Sequence, residues 1–97
     1  MDEIIDPIAI RRDEVAQYDR NIALYETIVA SLPNEWPDHL SKFKGRTDHQ
    51  AAASELEDVN DVELLAQLLY REQCEKAIRA EKLERTKAAA ILAALQA

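Results

Sequence analysis

Residues 7–33 read PIAIRRDEVAQYDRNIALYETIVASLP, and this stretch decides the fold. Ile8, Val15, Tyr18, Ile22, Tyr25, Val29 and Leu32 follow one another in alternating steps of three and four, with Arg11 the one polar residue in the series. That is the a/d pattern of a heptad, which sets a narrow apolar seam along one side of an α-helix and suits a neighbouring helix lying nearly parallel or antiparallel to it. Ile10, Leu24 and Ile28 fall off the seam and widen the apolar face, so a second neighbour is expected as well. The ends are marked. Asp6 can cap free amides, Pro7 at the first helical position has no amide to leave unpaired, and Pro33 stops the helix, which gives a helix over about 7–32.

Beyond Pro33 the pattern breaks into a corner of short pieces over about 34–60. Trp36, Leu40 and Phe43 recur at helical spacing after Pro37, and Gly45, the single glycine, is placed to end that turn in a left-handed conformation. Thr47 or Asp48 is positioned to cap a second short helix over 49–57, with Ala51, Ala52, Ala53 and Leu56 as its apolar face. From Asp61 to the last residues there is neither Pro nor Gly, and nearly every residue is a good helix former, so one long helix over about 61–96 is predicted. Its first turns are apolar (Val62, Leu64, Leu65, Leu68, Leu69, Tyr70) and its middle is charged. Glu72 with Lys76, Glu75 with Arg79, and Glu81 with Arg85 stand four apart, acid first, the favourable order for paired charges on a helix.

The composition agrees with an all-α class. One Gly and three Pro in 97 residues are too few for the turns of a sandwich or a doubly wound sheet. The length bounds the chain to one domain, 1–97, organised as an antiparallel helical hairpin or coiled-coil-like bundle with a short-helix corner and a long C-terminal helix. Charge supports the antiparallel pairing: residues 1–33 carry seven acids and three bases, residues 64–97 four and six. Exposed charges of this kind select orientation more than they supply stability. If the corner simply closes the hairpin, the first helix runs out opposite a point near Lys87, and residues 88–97 project. That Ala/Leu-rich end, with Ile91, Leu92 and Leu95, is then a candidate partner-binding surface, unless Ile4 and Ile5 fold back to cover it.

Few residues suggest chemistry. His39, His49 and Cys74 do not have the close-paired spacing of a zinc site, and Asp58, Asn60, Asp61 and Glu63 lack the glycine and distal glutamate of a calcium loop; they read as a capping cluster before the long helix. There is no Gly-rich phosphate loop and no nucleophile motif around Ser31, Ser41 or Ser54. Cys74 is expected to be a half-buried structural thiol, since no helix start or cationic cluster lies beside it to activate it. Lys42-Phe43-Lys44-Gly45-Arg46 is the one compact basic cluster, and it reads as a solvated corner with Phe43 turned inward; Trp36 is expected to plug the end of the hairpin.

These features point away from an enzyme and from any metal or cofactor, and toward a protein-interaction module: a small adaptor or structural subunit binding a protein partner or itself. The residues expected to carry the contact are Val15, Tyr18, Ile22, Tyr25 and Val29 on the seam and Ile91, Leu92 and Leu95 at the far end. The formal charge of −7 disfavours direct nucleic-acid binding, and no apolar run is long enough to span a bilayer. A lone cysteine and an acidic N-terminal stretch fit the cytoplasm or nucleus rather than a secreted protein. The alternative is an acidic regulator or inhibitor that occupies a basic, nucleic-acid-binding site on a partner, using the −9 summed over residues 1–63.

Overall fold

The computed structural model describes residues 6–97, and within them every regular element is helical: α1 over Pro7–Ser31, a 3₁₀ helix over Asp38–Phe43, α2 over His49–Ser54 and α3 over Val59–Gln96. The two long helices lie against each other as an antiparallel hairpin. Their starts are fixed by the same device. Asp6 Oδ1 accepts from the Ile8 amide at 2.9 Å ahead of Pro7, and Asp58 Oδ1 accepts from the Asn60 amide at 2.8 Å. Each carboxylate pairs a donor that the helix itself cannot satisfy.

The end of α1 is held from outside. Arg71, on α3, places Nη1 3.1 Å from both the Val29 and the Leu32 carbonyl oxygens, and its Nε donates to Glu75 Oε1 at 2.7 Å. Carbonyls of a last helical turn lack their regular i+4 partner, and here Val29 O accepts only the Leu32 amide, at 3.2 Å, from its own segment. Here a guanidinium from the facing helix takes that role, and Pro33 then turns the chain away.

The main core lies in the corner rather than along the hairpin. Leu40 and Phe43 of the 3₁₀ helix, Ala52 of α2, and Leu65, Leu68 and Leu69 of α3 are fully buried together, and Trp36, Leu56 and Leu64 pack around them half-buried. Gly45 closes the 3₁₀ helix at φ +79°, the left-handed conformation expected of it, and its amide donates to the Glu72 carboxylate at 3.0 Å. Phe43 is turned inward, with the Lys42 ammonium 5.1 Å and the Arg46 guanidinium 5.5 Å from its ring centre, while Lys44 lies 5.8 Å from that of Trp36. α2 is shorter than the 49–57 expected: it stops at Ser54, so that Leu56 can drop onto the core before Asp58 opens α3. Asp48 sits at its N-cap without bonding an amide, because its carboxylate is engaged by Arg46.

This use of α3 corrects the register of the hairpin. The first turns of α3 belong to the corner, and α1 lies alongside α3 from about Tyr70 and Arg71 onward. Tyr25 then meets Cys74 and Ala77, Asn21 meets Glu81, Asp19 meets Arg85, and Arg11 reaches Ala88 and Ile91. By the same register Pro7 lies level with the last turn of α3. Residues 88–97 therefore do not project past α1 as an overhang, and Ala88 is buried. Ile4 and Ile5, the proposed covering arm, lie outside the described residues. The ion pairs are also redistributed. Glu72 serves Gly45, Glu75 pairs with Arg71, and Arg85 pairs with Asp19 across the hairpin, in place of the three pairs expected along α3. A pair on an exposed helix surface contributes only about 0.2–0.5 kcal/mol, so partners from another element readily displace it.

Candidate interaction face

Along the hairpin the seam is covered within the chain. Ile22 is buried, Cys74 and Ala88 are buried opposite it on α3, and Val15 and Val29, one heptad to either side of Ile22, are half-buried. These positions hold the two helices together. Cys74 is thus fully rather than half buried, at 2% exposure.

The two flanks of the seam differ. One is polar: Asp19 pairs with Arg85, and Arg71 with Glu75. Hydrogen bonding to Asp19 raises the Arg85 pKa above its ordinary value. The other flank is a shallow groove floored by aromatic and aliphatic side chains. Near the corner, Tyr25, Tyr70, Gln73, Cys74 and Ala77 line a hollow of about 310 Å³. Toward the far end, Tyr18, Ala88 and Ile91 share a second one of about 280 Å³ with the charged Arg11, Glu14, Glu84 and Lys87. Between them Asn21 Nδ2 donates to Glu81 Oε2 at 3.4 Å. Tyr18 and Tyr25 are half-buried in this groove and Tyr70 is 45% exposed, so all three tyrosines of the chain face one side of the hairpin. The neighbouring Cys74 thiol raises the Tyr70 phenol pKa above its ordinary value.

The expected end residues join this flank unequally. Ile91 lies in the groove at 42% exposure, Leu95 one turn further on is 43% exposed, and Leu92 is half-buried. Ile10 and Leu24, on the outer side of α1, extend the apolar surface beyond the groove rim. Tyr70, in sequence part of the apolar start of α3, reaches this flank through the register of the hairpin. Its signal was present in the sequence, since Tyr70, Ala77, Glu84 and Ile91 recur every seven residues beside the seam.

The residues considered for metal chemistry are not brought together. His39 Nε2 is 3.0 Å from Asp61 Oδ1 at the corner, His49 opens α2, and Cys74 is beneath the tyrosines; among the described residues no group of three His, Cys, Asp or Glu side chains is placed to hold an ion. No described helix is long and apolar enough to cross a membrane. No protein family, curated protein or solved structure matches the chain.

Proposed function

We propose that the chain is a non-enzymatic helical interaction module, a small adaptor or structural subunit, which binds another protein or a second copy through the tyrosine-lined flank of its hairpin. The observation that carries this reading is the gathering of exposed large side chains on that flank: Tyr70, Ile91 and Leu95 beside the half-buried Tyr18 and Tyr25. Tyrosine is enriched at interface anchors because it combines a large apolar face with a hydroxyl that remains satisfied at a wet rim. Val15, Ile22 and Val29 enter this reading as the scaffold that sets the groove, with Leu92, and not as contact residues. A reducing compartment, cytoplasm or nucleus, suits a lone buried thiol.

The charge-mimic alternative has less support. Of the eight carboxylates over 34–63, Asp48 and Glu55 are engaged by Arg46, Asp61 by His39 and Asp58 by the start of α3, and Lys42 and Lys44 stand exposed among the others. Salt separates the two readings, because contacts between exposed charges weaken with ionic strength and apolar docking does not. The direct test is affinity capture with the native chain and with a Tyr70→Glu/Ile91→Glu variant whose helicity is verified. Partners, including the chain itself, should be held by the native protein and lost by the variant; equal capture by both, or none by either, would refute the assignment.

A further inference from the structure

The surface of the chain is large for its size. A compact monomer of 11.0 kDa exposes about 5,600 Å², whereas this chain exposes 7039 Å². The difference is about 1,400 Å² by that scaling, compared with roughly 800 Å² per partner in a standard interface and about 1,000 Å² or more in an obligate one. The dimensions agree. The radius of gyration is 19.3 Å, against about 12.5 Å for a compact domain of this length, and the molecule measures 63 × 29 × 21 Å. It is a two-helix rod one layer thick along most of its length. Small domains with so few buried side chains commonly complete their core by association.

From this we infer that the tyrosine flank is the interface of a homodimer, in which a second copy lays its own flank over Tyr18, Tyr25, Tyr70, Ala77, Ile91 and Leu95 to make a four-helix bundle. This identification of the occupant rests on the assignment of the flank as a binding face. Charge permits it. Among the described residues the overall −7 does not fall on the flank, where Arg11 pairs with Glu14 at 2.8 Å and Lys87 with Glu84 at 3.1 Å, leaving only Glu81 of these without a cation. A face with its charges internally matched suits its own copy. A cationic partner would instead find one free carboxylate and two acids already paired. Association also lays a second pair of helices over the groove, the arrangement of a four-helix bundle.

The dimer has a distinctive dependence on Glu81. This half-buried carboxylate has a single 3.4 Å hydrogen bond, and a second copy deprives it of water without bringing a free cation. Glu81→Gln therefore tightens self-association several-fold, whereas it would weaken docking of a basic helix.

The experiment is sedimentation equilibrium with light scattering across the micromolar range, on the full chain and on variants checked for helicity. A mass of twice 11.0 kDa is expected. Tyr70→Glu and Ile91→Glu should each shift it to the monomer, while Leu83→Glu, on the opposite face of α3 at 56% exposure, should leave the dimer intact. Should either flank variant unfold, Leu95→Glu in the last turn supplies the same test without touching Cys74. A monomer at every concentration overturns the dimer, as does a dimer broken by Leu83→Glu or loosened by Glu81→Gln. A monomer that still captures another protein through Tyr70 and Ile91 would remove the dimer and keep the binding face; a monomer that captures nothing would remove both.

Discussion

Replacing Leu68 by Ala tests where the fold keeps its stability. Leu68 is fully buried between the 3₁₀ helix, α2 and its own helix, in the cluster that also holds Leu40, Phe43 and Leu65. The substitution removes three carbons, about 2.4 kcal/mol of transfer free energy at roughly 0.8 per carbon, and adds a cavity cost that brings the total to about 2–5 kcal/mol. Small domains have about 0.05–0.15 kcal/mol per residue in all, which for 97 residues starts near 5 kcal/mol, so this one change consumes a large part of the stability. Urea denaturation followed by far-ultraviolet circular dichroism reads it as a lower midpoint at unchanged slope. Val15→Ala, on the half-buried seam, should cost about 1 kcal/mol, and Leu83→Ala on the exposed back of α3 within about 0.5 kcal/mol of nothing. If Val15→Ala proves as costly as Leu68→Ala, the corner is not the principal core and the reasoning fails.

Three further outcomes follow from named contacts. Arg71→Met leaves the Val29 and Leu32 carbonyls without their guanidinium and should destabilise the chain by about 1–3 kcal/mol, measured by the same denaturation; a neutral result would mean that water replaces Arg71 at no cost. Hydrogen bonding to Arg46 lowers the Asp48 pKa from 3.8 to about 2, so its contribution is complete above pH 4 and is lost as pH falls toward 2; carboxyl NMR titration should find that midpoint and see it rise toward 3.8 in Arg46→Gln. Gly45→Ala meets no atom within 4 Å yet must adopt φ +79°, so it should cost about 1 kcal/mol through backbone strain alone, with the helical spectrum unchanged.

Much of the architecture was legible because it rests on local rules. Asp6-Pro7, Pro33, Gly45 and Asp58 are boundary residues whose chemistry does not depend on the rest of the fold, and the seam from Ile8 to Leu32 announces a helix partner by spacing. What escaped was the division of α3 between two tasks. Leu64, Leu65, Leu68 and Leu69 are apolar whether they face α1 or the corner, and only the corner's own Leu40, Phe43 and Ala52 decide the matter. From that came the shift in register, and with it the loss of the overhang. The ion pairs escaped for a related reason: Gly45 and Asp19 are distant in sequence from Glu72 and Arg85, and no helical spacing rule reaches them. The groove was half visible. Tyr18 and Tyr25 were named for lying on the seam, but their place at its edge depends on which flank α3 leaves open, and Tyr70 joins them only once the register is known.

Arg71 has a further consequence for how the molecule breathes. It ties the last turn of α1 to α3 beside the densely packed corner, while from there to the far tip Ile22, Cys74 and Ala88 are the only buried hydrophobic side chains among the described residues. Amide protons should therefore exchange in a gradient, slowest around Leu65 and Leu69, faster by Glu81 and fastest near Leu95, as the stem unzips from its open end. The rod would open like a peg from the tip while its closed end stays clenched, and the tyrosines nearest that end would keep their geometry through each opening.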